Sequence, residues 1–151
     1  MFNSLIIFCA KYLFIIIVLI AVYVMARLPR AKRKQAFIWA ILAAVIALIL
    51  TKAAAALYFD PRPFTHGITP LFTHDADNGF PSDHMVVTMV AAVMSYTYNK
   101  RIGAGLVVLS LIVGISRILS GIHNPLDILA GIAIAVVSVY SSRIFLKIPR
   151  D

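Results

Sequence analysis

Ser116-Arg117-Ile118-Leu119-Ser120-Gly121-Ile122-His123-Asn124-Pro125-Leu126-Asp127 places an arginine, a histidine and an aspartate at the junction of two long apolar runs. Ionisable groups at the edge of a bilayer are costly, so they pair, bind something or react. Gly121 can close one helix, and Asn124-Pro125 can open the next as N-cap and first helical residue. His123 then falls on the short turn between them. Asp127 falls in the first turn of the new helix, where its carboxylate can reach back to the imidazole. Such a pair fixes the tautomer and leaves the other ring nitrogen as base or nucleophile. Asn124 and Asp127 also have the spacing of a capping box, a purely structural reading.

Working outward, the chain of 151 residues is 62% hydrophobic and only 13% charged. That is far more apolar than a soluble domain. The length suggests one membrane-embedded domain, 1–151. The net charge of +8 comes from short basic clusters between apolar runs. This is the positive-inside pattern and points to a membrane, not to nucleic acid. Cys9 is the single cysteine, which excludes an intramolecular disulfide, and no zinc-binding spacing exists. The N-terminus lacks a positive leader and a cleavage signal, so it is expected to be a retained membrane segment.

About five spans are expected, giving an all-α polytopic bundle. The first, Phe2 to Met25, is interrupted by Lys11. Either Lys11 snorkels from a helix starting near Phe8, or Phe2–Ala10 lies in the interface. Arg27 to Lys34 reads as a basic cytoplasmic loop. Ala36 to Phe59 is the second span, with Trp39 and Tyr58 as aromatic-belt residues and Ala53–Ala56 as a thin packing face. Asp60 to Pro81 is a long polar loop carrying Arg62, His66, His74, Asp75 and Asp77. Those His and Asp residues are either metal ligands or hydrogen-bonding loop residues, and the second is the commoner case. Ser82 to Asn99 is the third span, opened by Ser82 or Asp83 as N-cap. Ile102 to Ser120 is the fourth, with Gly103, Gly105 and Gly114 as close-packing points, and Pro125 to Ile144 the fifth, before a basic tail of Arg143, Lys147 and Arg150. Met85, Met89 and Met94 read as packing residues.

With the first loop inside, every basic cluster falls on the cytoplasmic side. Arg62, Ser82–His84, Arg117 and His123 all fall on the other. Cations meeting a helix N-terminus suit an anion, above all phosphate. Two histidines, one oriented by a carboxylate, suit nucleophile and general acid. No Gly-rich phosphate loop is present, so nucleotide-driven transfer is not expected. Phosphoryl transfer needs positioning and charge neutralisation, which cationic side chains can supply without a metal or other cofactor.

Lys52…Arg62-Pro63, Pro81-Ser82-Asp83-His84 and Ser116-Arg117…His123…Asp127 resemble the three motifs of the type 2 phosphatidic acid phosphatase (PAP2) superfamily of membrane lipid phosphatases. The resemblance covers the central half of the chain. Asp83 stands where the family has Gly, and Lys52 lies further from Arg62 than usual, with Ala55 at the aligned position. Pro-Ser-Asp-His, Asp60-Pro61-Arg62-Pro63-Phe64, His74-x-Ala76-Asp77 and Gly121-x-His123-x-Pro125-Leu126-Asp127 look most like the undecaprenyl-diphosphate phosphatase branch, which is linked to bacitracin resistance. The resemblance implies that His123 attacks phosphorus, Asp127 orients it, and His84 protonates the leaving group and then activates water. Lys52, Arg62, Ser82 and Arg117 would grip phosphate oxygens. Asp83 would compensate cations, cap its helix or contact substrate. The expected function is hydrolysis of the terminal phosphate of a polyprenyl diphosphate through a phosphohistidine, at the outer face of the plasma membrane. Its rivals are another lipid phosphate as substrate, or a non-enzymatic binder of anionic lipid.

Overall fold

The structure, a computed structural model, describes residues 2–148, so Arg150 of the basic tail lies outside the described residues. Six α-helices follow one another: α1 (Phe2–Lys11), α2 (Leu13–Ala26), α3 (Arg30–Leu57), α4 (Asp83–Tyr98), α5 (Lys100–Leu119) and α6 (Pro125–Phe145). The long loop between α3 and α4 carries one 3-10 turn, Pro63–His66. The all-α expectation therefore holds.

α3, α5 and α6 are each long and apolar enough to cross a membrane, and α1 with α2, bent by 47°, makes a fourth if the pair is one span. α4 has 16 residues, about 24 Å of helix, which is short of the roughly 30 Å hydrocarbon core. The third of the five expected spans is thus a short helix held inside the bundle, where α2, α3, α5 and α6 all contact it. Asn99 sets its end. Its amide bonds back to Ser95, and its side chain accepts from Ile102 N–H at 3.1 Å to start α5.

The interior is built for close helix approach. Buried Thr88, Ser95, Ser110, Ser138 and Ser142 each return their hydroxyl to the carbonyl four residues back, at 2.7–2.8 Å. Small residues with self-satisfied hydroxyls let helices pack where lipid supplies no hydrophobic drive. A Cβ on Gly103 would collide with the Tyr96 backbone, and one on Gly114 would sit 2.8 Å from Ile128. These two glycines are contact points as expected. Gly105 is not, because it faces open space. Met85, Met89 and Met94 are buried packing residues.

Several local expectations change. The basic loop is only Arg27–Pro29, and Arg30–Lys34 already belong to α3. Pro29 fixes the entry, and the Ala-, Lys- and Arg-rich stretch after it favours helix. Trp39 is no belt residue. It is fully buried, donating from Nε1 to Ser142 Oγ at 2.9 Å and to the Val139 carbonyl at 3.3 Å. α3 packs through Ala36, Trp39, Ala43, Ala47 and Thr51, three- and four-residue spacing that keeps one stripe inward, and not through Ala53–Ala56. The N-terminal run breaks at Tyr12, so no helix runs unbroken from Phe8.

Candidate active site

The end of α5 shapes the site first. Gly121 adopts φ 73°, its amide bonds to Ile118 O at 2.9 Å, and the Ile122 amide bonds to Arg117 O at 3.3 Å. This is a Schellman closure, and only glycine takes that backbone cheaply. Pro125 then opens α6 behind Asn124. His123 is left on the five-residue turn between α5 and α6, 3% exposed, facing inward.

The Asp127 carboxylate does two jobs with one oxygen. Oδ2 lies 3.0 Å from His123 Nδ1 and accepts the Asn124 N–H at 2.8 Å. The capping box is present as expected, and the same oxygen holds the imidazole. An ionised carboxylate only accepts, so Nδ1 carries the ring proton and Nε2 keeps its lone pair. Nε2 faces two guanidinium groups, Arg117 Nη2 at 3.0 Å and Arg62 Nη1 at 3.4 Å. Burial pushes the His123 imidazole below its ordinary value; the Asp127 hydrogen bond opposes this, and the Arg117 and Arg62 charges reinforce it. The ring is held neutral.

The loop after α3 delivers Arg62. Asn78 folds the loop shut: its side chain donates to Ala55 O and Tyr58 O and accepts from Asp60 N–H at 3.0 Å. Gly79 N–H then bonds Asp60 O at 2.9 Å. Arg62 threads into the turn before α6, donating to Ile122 O at 2.9 Å and to Asp77 at 2.6 Å. Burial raises the Asp77 carboxyl, yet the Arg62 hydrogen bond and charge outweigh it and hold it below the usual range. Asp77 is thus an arginine-holding residue, and His74 bonds through Nδ1 to Asp75 O. Asp60 reaches Asp127 and Asn124 from the same loop. Burial and the Asp127 charge raise its carboxyl, against the Asn124 hydrogen bond.

Around Nε2 opens a cleft of about 360 Å³. Lys52, Arg62, Asp83, His84, Arg117 and His123 all line it, and so do Thr51, Asp77 and Asn78. The expected residues from α3, the loop, α4, α5 and the turn therefore meet at one end of the bundle. Lys52 reaches the cleft from one turn before Ala55, which lines it too. Ser82 differs from expectation. It occupies the N-cap position of α4, but its Oγ makes no capping bond, and it lies fully buried behind the lining. Its amide ties α4 to Asp127 O at 3.1 Å.

Four buried side-chain atoms among the described residues lack hydrogen-bond partners: Thr51 Oγ1, Ser82 Oγ, Arg117 Nε and Asp127 Oδ1. All four belong to this site or its wall. Unpaired buried polar atoms are costly in an ordinary core, and a polar ligand is what such a cluster accommodates. Thr51, Asp60, Asp77 and Asn78 were not assigned to the site from sequence. The run from Asp75 to Gly79 carried a signal in its polar content, but nothing there specified Arg62 as the partner.

A cleft lined by arginines, a lysine and two histidines at one end of an apolar helix bundle has the chemistry of a membrane protein that acts on phosphate. The chain belongs to the PAP2 superfamily, whose sequence profile matches residues 36–148, and it is a multi-pass membrane lipid phosphatase. It is 36% identical to the bacitracin transport permease protein BcrC of Bacillus licheniformis, over 91% of this chain and 68% of that protein. It is 29% identical to the undecaprenyl-diphosphatase BcrC of Bacillus subtilis (strain 168), over 89% and 70%. It is 33% identical to the putative undecaprenyl-diphosphatase YbjG of Escherichia coli (strain K12), over 93% and 72%. The fold is similar to the crystal structure of Aquifex aeolicus LpxE, with a TM-score of 0.77 at 23% identity, over 93% of this chain and 84% of that one.

Proposed function

We propose that the chain is a single catalytic domain that removes the terminal phosphate of undecaprenyl diphosphate through a phosphohistidine at His123. One observation carries the reading. His123 Nε2 is the unprotonated nitrogen of an Asp127-bound imidazole, and it faces two arginines in an open cleft.

In the first step Nε2 forms a bond to the terminal phosphorus as the bridging P–O bond breaks. His84 donates its proton to the departing polyprenyl phosphate. Arg62 and Arg117 neutralise the equatorial oxygens, with Lys52 and the α4 N-terminus beside them. Water then attacks phosphorus and gives a proton to His84, and the P–N bond breaks to release inorganic phosphate. Asp127 keeps Nδ1–H throughout. Ser82 holds the α4 N-terminus through its amide bond to Asp127 O, and Asp83 lines the cleft beside it.

The lipid tail has a route. A mostly apolar groove of about 290 Å³ between α3 and α4 runs along Ala44, Ala47, Leu48, Val86, Val87 and Val90. It shares Thr51, Lys52 and Asp83 with the polar cleft. A diphosphate in the cleft would therefore leave its chain in this groove. The basic segments Arg27–Lys34, Lys100–Arg101 and Arg143 lie at the helix ends opposite the site, and the positive-inside rule supports a site on the outer face of the plasma membrane.

The test is phosphate release by purified protein from undecaprenyl diphosphate, phosphatidic acid, phosphatidylglycerol phosphate and a lipid A phosphate. Fastest turnover is expected on the first, with label trapped on His123 during turnover. Near-wild-type turnover by His123→Ala would remove the mechanism. Binding of all four lipids without release would make the chain an anionic-lipid binder.

A further inference from the structure

His123 is oriented by a carboxylate. His84 is not: among the described residues no hydrogen bond holds its ring. What meets it is an aromatic side chain from α2, with Phe14 and His84 ring centroids 4.7 Å apart at an interplanar angle of 74°. Such edge-to-face pairs are favoured by the ring quadrupole and restrain the ring's rotation.

A second contact comes from the same place. Arg117 Nη1 donates to the Ala10 carbonyl at 3.2 Å. In an unbroken helix that carbonyl would accept the amide of residue 14. The chain breaks at Tyr12 instead, between α1 and α2. Lys11 Nζ at the break lies 5.1 Å from the Phe72 ring of the long loop. The break thus releases Ala10 O towards one phosphate-binding arginine and aims Phe14 at the acid–base histidine. Both residues lie outside the segment matched to the family.

We propose that the broken N-terminal span is a positioning element of the active site, with Phe14 setting the ring orientation of His84 and Ala10 O setting Arg117. The proposal rests on the reading of His84 as acid–base and Arg117 as phosphate ligand. Phe14 touches no reacting atom, so its loss acts on the proton-transfer step and not on substrate grip.

The experiment uses the full chain in detergent and compares Phe14→Leu, which keeps apolar bulk, with Phe14→Tyr, which keeps the ring. Phe14→Leu should lose about 10-fold in kcat with KM within about twofold, and should displace the pH limb that His84→Gln abolishes. Phe14→Tyr should restore both. In histidine-labelled protein, the His84 ring resonance, assigned by its loss in His84→Gln, should move in Phe14→Leu and stay in Phe14→Tyr. If Phe14→Leu does not fold, Phe14→Met takes its place. Wild-type kcat and pH profile in the folded Leu or Met variant would overturn the proposal. If the wild type hydrolyses no lipid phosphate, the parent reading fails, and an unmoved His84 resonance would then overturn this one separately.

Discussion

Arg117 Nη2 lies 3.0 Å from His123 Nε2, on the nitrogen assigned to attack phosphorus. The guanidinium occupies the lone pair that the proposed reaction needs, so in that reaction an incoming phosphate draws the arginine onto its own oxygens and exposes Nε2. A charge-assisted fork to phosphate is stronger than a bond to a neutral imidazole, which favours the exchange. Arg117→Lys keeps the charge and loses the fork. We expect kcat/KM to fall on the order of 100-fold, and inhibition by orthovanadate to weaken, measured by steady-state phosphate release.

Asp127→Asn should be close to inactive. The amide is isosteric, but it can present its N–H to Nδ1 and so favour the tautomer with Nε2 protonated. A drop in kcat on the order of 10⁴ is expected from the same change in a comparable His–Asp pair. The variant should still insert and bind lipid phosphate, which a binding assay checks. Full activity would make Asp127 a helix cap alone.

The pH profile follows from the burial of His123. Its pKa is lowered from 6.5, so as pH falls the nucleophile stays neutral through 6.5 and protonates only below it. The acid limb of kcat/KM assigned to this group should lie below pH 6.5. An acid limb at or above the ordinary histidine value, measured with soluble short-chain substrate, would contradict the geometry.

Asp60 offers a stability test with a definite sign. Its folded pKa is raised from 3.8 by burial and by Asp127. The folded state therefore binds the proton more tightly than the unfolded state. Stability is lost as pH rises from 3.8 through the raised value, and the penalty is complete at neutral pH. Asp60→Asn removes the charge and keeps the polar contacts, so its thermal midpoint should exceed wild type at pH 7 and not at pH 3.

Cationic side chains supply the charge neutralisation in the proposed reaction, so activity should survive EDTA. Loss of phosphate release that added divalent metal restores would instead assign the loop residues His66, His74, Asp75 and Asp77 a metal.

The sequence alone determined the all-α class, the turn before α6 and the pairing of His123 with Asp127. Apolar runs of spanning length admit little but helix in a bilayer, because every backbone polar group must be satisfied within its own segment. Gly121, Asn124 and Pro125 then fix where one helix stops and the next starts, and a four-residue interval fixes His123 against Asp127. These are local constraints, legible over a dozen residues. Partnerships across the fold were not legible. Trp39 pairs with Ser142 and not with the lipid interface, Arg62 is held by Asp77, and Ser82 withdraws behind the cleft. The break at Tyr12 could be suspected from Lys11, but its use could not: Ala10 O meets an arginine 107 positions away. Only tertiary packing decides such matters, because an apolar helix has no sequence-encoded partner until shape and small residues select which faces meet.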